Sequence, residues 1–230
     1  MTRKSFDQEL TRLQDEVLSL SETVEKALIQ AVNALMNRDR QMATTLIAAD
    51  RAINEKRFAI EGDALTLIAT QQPLAGDLRT IFTTVEIATE LERIADYAKG
   101  IAKVSLMIAD RPLLEPCAHF PQVATKVRDM LHDAILAFVS RDAALARSMP
   151  EREREVDELH NQVHQELLAL IATDPSTSNR ATQLFWVIRN LERAADRVLN
   201  ICERVVFNIT GEMVEMDVEE GEIVGPEGLS

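Results

Sequence analysis

The chain has 230 residues, of which 46% are apolar and 27% charged, with 4% aromatics and only seven Gly and seven Pro. That length allows one or two domains, and its wealth of Ala, Leu, Glu, Arg and Gln favours helices over a sheet, which would draw on β-branched and aromatic residues. A net charge of −13 repels a phosphate backbone, which argues against nucleic acid as a partner.

Apolar spacing at helical period predicts six long helices, over 4–37, 40–71, 75–109, 121–139, 142–172 and 177–209. The prolines punctuate them. None occurs before Pro73, and Pro112, Pro116 and Pro121 cluster at the middle of the chain. Asp39, Asp142 and Asp174 suit helix starts, because a short carboxylate accepts from the orphan N–H groups of a first turn. Pro150 falls inside the fifth segment and predicts a break or kink there. The end is different in kind. After Arg204 there is no Lys or Arg, while Glu212, Glu215, Asp217, Glu219, Glu220, Glu222 and Glu227 follow, so residues 1–210 carry only −6. Charge repulsion and glycine entropy predict a flexible or loosely docked tail over 211–230. Cys117 and Cys202 form no disulfide framework. The opening residues lack the apolar core of a signal peptide, and no 18-residue apolar run occurs, so a cytoplasmic protein is expected.

The chain repeats itself. Residues 91–96 read LERIAD and 191–196 read LERAAD, an offset of 100 that Ile101 and Ile201 continue. The preceding helices each carry a polar i, i+4 pair, Asp50 with Asn54 and Glu153 with Asp157. A period this long signals a duplicated domain and not a solenoid. The fold expected is all-α: two tandem, pseudo-symmetric three-helix bundles over 1–110 and 121–210, joined by a linker at 111–120.

At about 100° per residue, Ile81, Val85, Ala88, Leu91 and Ala95 form one apolar stripe, with Glu92 and Asp96 within about 20° of Val85 on either side. The sixth segment repeats this arrangement: Glu192 and Asp196 flank Phe185 beside Leu184, Ile188, Leu191, Ala195 and Leu199. Arg93 and Arg193 turn toward solvent. An acid pair at i, i+4 is ordinarily a solvated face. Here it repeats at the core edge, where like charges cost about 0.2–0.5 kcal/mol per pair and desolvation adds to the cost. A bound cation would relieve both, so each pair is a solvated face or a metal site.

The stretch from Gln72 to Arg79 (QPLAGDLR) followed by LERIAD, and LERAADRVLNICERVVF at 191–207 ending in Thr210-Gly211, resemble the two halves of PhoU proteins. The resemblance covers about residues 5–211. It implies two pseudo-symmetric three-helix bundles and multinuclear iron or zinc clusters, or another divalent cation, held by Glu/Asp-x-x-x-Asp motifs. Carried over, one site would use Asp50, Glu92 and Asp96, and the other Glu153, Asp157, Glu192 and Asp196. Asn54 stands where a second carboxylate would complete the first site. Gly100 replaces the usual Asn, which Asn200 keeps, so the second site is expected to bind more tightly. The resemblance further implies a non-enzymatic regulator and homodimer that restrains the phosphate-starvation response. It would contact the ATPase subunit of a phosphate ABC transporter and a sensor histidine kinase, reaching the membrane only through these partners.

Two other readings stand beside this one. A carboxylate di-iron oxidase needs Glu-x-x-His on two helices, and the sequence offers one approximation, Asp157-x-x-His160, with His164 at i+7. A phosphorelay bundle needs a reactive histidine, but His119, His132, His160 and His164 show no phosphotransfer context. At the third helix start, Asp77 suits the helix dipole and is a pairing partner for Arg79. Trp186, about 100° from Phe185 and so near the stripe, is expected to pack within the bundle or else to contact a partner.

Overall fold

The computed structural model describes residues 3–108 and 110–216. Seven helices run through them: α1 (Arg3–Asn37), α2 (Arg40–Gln71), α3 (Ala75–Ile108), α4 (Phe120–Ser140), the short α5 (Ala143–Arg147), α6 (Met149–Thr173) and α7 (Ser178–Thr210). Helices α1, α2 and α3 pack on one another, as do α4, α6 and α7. The fold is therefore all-α, six long helices in two three-helix bundles.

Pseudo-symmetry reaches the turns. Helix α1 ends at Arg38 with φ 54° and α4 at Arg141 with φ 56°. Each arginine is followed by an aspartate whose N–H returns to the helix, Asp39 N to Ala34 O at 2.8 Å and Asp142 N to Ala137 O at 2.9 Å. Each aspartate then caps the next helix, Asp39 accepting from Met42 N at 2.9 Å and Asp142 from Ala144 N and Leu145 N at 2.9 and 3.0 Å. Asp174 accepts from Ser176 N at 3.0 Å in the same manner. These bonds satisfy N–H groups that a helix start otherwise leaves orphaned.

The break expected at Pro150 lies two residues earlier, at Ser148. Proline is tolerated within a first helical turn, where its missing N–H costs nothing, so α6 starts at Met149 and carries Pro150 inside that turn. The stretch between the bundles is short and packed: Glu115–His119 forms one 3₁₀ turn, and Leu114 and Cys117 are buried.

One hydrophobic core runs through both bundles, from Val17, Leu20 and Leu28 of α1 to Val198, Cys202 and Val205 of α7. The halves meet where α1 touches α4 and where α3 lies antiparallel along α7. Polar contacts mark that seam from end to end. Thr80 donates to Asn208 Oδ1 at 2.9 Å, and Glu90 Oε2 accepts from Asn200 at 3.4 Å and Arg197 at 3.5 Å. Farther along, the Arg193 guanidinium covers the Tyr97 ring at 4.9 Å. After α7, Gly211 takes φ 80° and returns its N–H to Phe207 O at 2.8 Å, the left-handed cap that glycine supplies without strain. Residues 212–216 then fold back along the helix. Met216 is buried and donates its N–H to Glu203 Oε1 at 2.8 Å. The rest of the expected tail, 217–230, lies outside the described residues.

Candidate functional site

Each half places its acids on two adjacent helices, and the two sets are neutralised differently. In the first half, Asp50 of α2 is buried, with Glu92 partly buried and Asp96 exposed on α3. Lys99, one turn beyond Asp96, lies between them: its ammonium stands 2.6 Å from Asp50 Oδ2 and 3.4 Å from Asp96 Oδ1. Asn54 adds its amide, donating to Asp50 Oδ2 at 3.4 Å and to the Asp50 carbonyl at 3.3 Å. Burial first, and then Asp96, push the Glu92 carboxyl above its usual range, with Arg57 opposing. The hydrogen bond to Asp50 holds Lys99 more firmly protonated than a free lysine.

In the second half Glu153 of α6 is buried, and Asp157, Glu192 and Asp196 are partly buried. Burial, then Asp157 by charge and hydrogen bond, then Asp196 and Glu192 push the Glu153 carboxyl up to about 7. Glu192 is also raised, by burial and then by Asp157, with Arg189 and Arg193 opposing. The position equivalent to Lys99 is Leu199, which is buried and uncharged. This set is an acidic cluster in which burial and mutual repulsion favour the protonated form of Glu153. Among the described residues, no group of three or more His, Cys, Asp or Glu side chains is already placed to hold one ion. That holds for both acid sets alike.

The sequence expectations resolve as follows. The acids of each half are brought together as grouped, on α2 with α3 and on α6 with α7. Arg93 is exposed and pairs with Glu90 at 3.3 Å, while Arg193 reaches across to Tyr97. The His164 ring packs on Phe185 at 4.7 Å and lies 6.0 Å from that of His160, and burial lowers the His160 pKa. His164 thus lies between the His160 and Phe185 rings. Trp186, expected within the bundle, is 64% exposed, because 100° carries it past the stripe that neighbouring helices cover. Arg79 faces Gly211 at the C-terminus of α7, where its positive charge complements the helix dipole. Lys99 and Glu90 escaped the sequence reading. The signal for Lys99 was a difference between the repeats, lysine against leucine at the shared offset.

Comparison with known proteins decides the family. The PhoU domain model matches residues 17–105 and again 120–205. A Clostridium acetobutylicum protein named phosphate-specific transport system accessory protein PhoU homolog is 36% identical over 218 residues, covering 94% of this chain and all of the relative. The crystal structure of the phosphate transport system regulatory protein PhoU from Streptococcus pneumoniae superposes with a TM-score of 0.84 at 34% identity, over 91% of this chain and 99% of that one. PhoU from Pseudomonas aeruginosa gives 0.85 at 29% identity, over 90% and 100%. The chain belongs to the PhoU family. These relatives are named as accessory and regulatory proteins of phosphate transport, and no helix among the described residues is long and apolar enough to cross a membrane.

This PhoU chain also carries an apolar groove of about 790 Å³ between α2, α3 and the end of α7. Leu65, Ile68, Leu78, Phe82, Phe207 and Met213 line it, and Phe82 meets Phe207 edge to face at 6.4 Å. Leu65, Leu78, Phe82 and Met213 are all exposed.

Proposed function

We propose that this chain is a cytoplasmic adaptor that couples a high-affinity phosphate ABC transporter to a sensor histidine kinase and holds the phosphate-starvation response off when phosphate is plentiful. The observation that carries this reading is similarity over nearly the whole chain to relatives named for phosphate-specific transport. An adaptor works by surface contact. Contiguous apolar exposure such as the groove around Phe82 is rare on proteins without partners, and the body presenting it is stiffened by one continuous core. The ATPase subunit and the kinase are the partners, with membrane contact only through them, and the chain acts as a homodimer.

The second acid set, Glu153, Asp157, Glu192 and Asp196, is the metal-binding candidate. Carboxylate oxygens suit iron, zinc or another divalent cation, and such an ion would offset the burial and repulsion that raise Glu153. The chemistry it would supply is charge neutralisation across α6 and α7, which stiffens that face for a partner. Pull-down with the purified ATPase subunit and the purified kinase, with and without chelator, tests the adaptor reading. Capture of either protein supports it, and capture of neither overturns it. Comparing the metal content of Glu192→Gln/Asp196→Asn with that of Glu92→Gln/Asp96→Asn tests the site. A larger loss from the first-half pair would overturn the assignment to the second half.

A further inference from the structure

We propose that Lys99 is the built-in cation of the first acid set, so that this half is closed to metal and only the second half exchanges an ion. The proposal rests on the metal reading of the second half, and it adds a division of labour between the repeats. Three observations carry it. The Lys99 ammonium sits 2.6 Å from a buried carboxylate on α2 and 3.4 Å from a second carboxylate on its own helix, so it already bridges the two elements an ion would bridge. Asn54 replaces an acid by an amide and points that amide at the same Asp50 oxygen, lowering the charge available to a divalent ion. The repeat position of Lys99 is Leu199, buried against the core, so the second half lacks this device while keeping both acids on α6.

The physical reason is competition. A metal ion entering the first set would have to expel an ammonium tethered by its own stem and held by charge-assisted hydrogen bonds. The expelled charge would then stay nearby and repel the newcomer. Lys99 is thus a specificity-determining residue that acts by occupying the site.

Zinc binding by equilibrium dialysis, read by elemental analysis, tests this on four full-length proteins: the unaltered chain, Glu192→Gln/Asp196→Asn, and that double variant carrying Lys99→Met or Lys99→Arg. The unaltered chain is expected to bind zinc and the double variant to lose it. Adding Lys99→Met should then restore binding from background to about one ion per chain, whereas Lys99→Arg, which keeps the charge, should not. Failure of Lys99→Met to restore binding overturns the proposal, as does restoration by Lys99→Arg. Absence of zinc from the unaltered chain would instead overturn the second-half reading, and the Lys99→Met arm still reports on the first half. Because removing the partner of a buried aspartate risks misfolding, amine labelling of the unaltered protein supplies an independent reading. Lys99 should label several-fold more slowly than exposed Lys26, and zinc should leave its rate unchanged. Faster labelling of Lys99 upon zinc addition means that an ion has displaced it, and overturns the proposal.

Discussion

Gly100 of α3 packs directly against the side chain of Asn190 of α7: a Cβ on the glycine would stand 2.9 Å from the asparagine Nδ2, which would have to shift. The pseudo-equivalent crossing pairs Asn200 with Glu90, whose carboxylate accepts from the amide at 3.4 Å. The seam is therefore closely packed at Gly100 and polar at its counterpart. Gly100→Ala sets a helix-propensity gain of about 1 kcal/mol against an overpacking cost of about 1–3 kcal/mol. A net loss of about 1 kcal/mol is expected, turning into a gain of similar size when Asn190→Ala has removed the obstacle. Urea unfolding of the four members of that cycle checks it, and additive effects would contradict the close crossing.

Glu153 makes stability depend on pH. Its folded carboxyl is raised from the ordinary 4.5 to about 7, so between those values the folded chain binds more protons than the unfolded one. Stability from this group is then present below pH 4.5 and is lost as pH rises through 7. Glu153→Gln should leave the urea midpoint unchanged near pH 4.5 and raise stability by about 2 kcal/mol at pH 8. A variant equally or less stable at pH 8 would show that the carboxylate is satisfied by a partner.

The two cysteines are expected to be inert in the native protein. Burial pushes Cys117 up to about 11 and Cys202 up to about 12, and the thiolate is the reactive form. An aromatic disulfide reagent at pH 8 should release no colour from folded protein and two equivalents once the chain is unfolded. Prompt reaction of either thiol in the native state would contradict that burial.

Arg38 and Arg141 hold left-handed backbone without being glycine, which costs about 1–2 kcal/mol for an L-residue. Part of that gain is returned as glycine's greater unfolded entropy. Arg38→Gly and Arg141→Gly should each stabilise the protein by about 0.5 kcal/mol, measured as an upward shift of the thermal midpoint. A loss would mean that the arginine side chain contributes more than its backbone strain costs.

The six long helices, the three aspartate caps and the duplication were legible because each depends on local chemistry or on direct self-comparison. The acid pairs were legible for the same reason, since i, i+4 spacing decides which residues share a face. Three features were not. Glu90 reads as an ordinary surface glutamate until α7 is laid antiparallel along α3 and brings Arg197 and Asn200 to it. Trp186 was misjudged because a helical wheel gives the angle from a stripe and says nothing of how widely neighbours cover it. Lys99 was passed over because the repeats were read for what they share, while the neutralisation of each acid set depends on where they differ.

The core that passes without interruption from α1 to α7 has a practical consequence for anyone wishing to cut the molecule in two. Fragments 1–110 and 111–230 would each be left with a long greasy flank, α3 deprived of α7 and α1 of α4, and neither would be a good soluble object alone. Produced together, they should reassociate through those same flanks. The α3–α7 seam is thus a ready split point for a complementation reporter, in which reassembly itself supplies the signal.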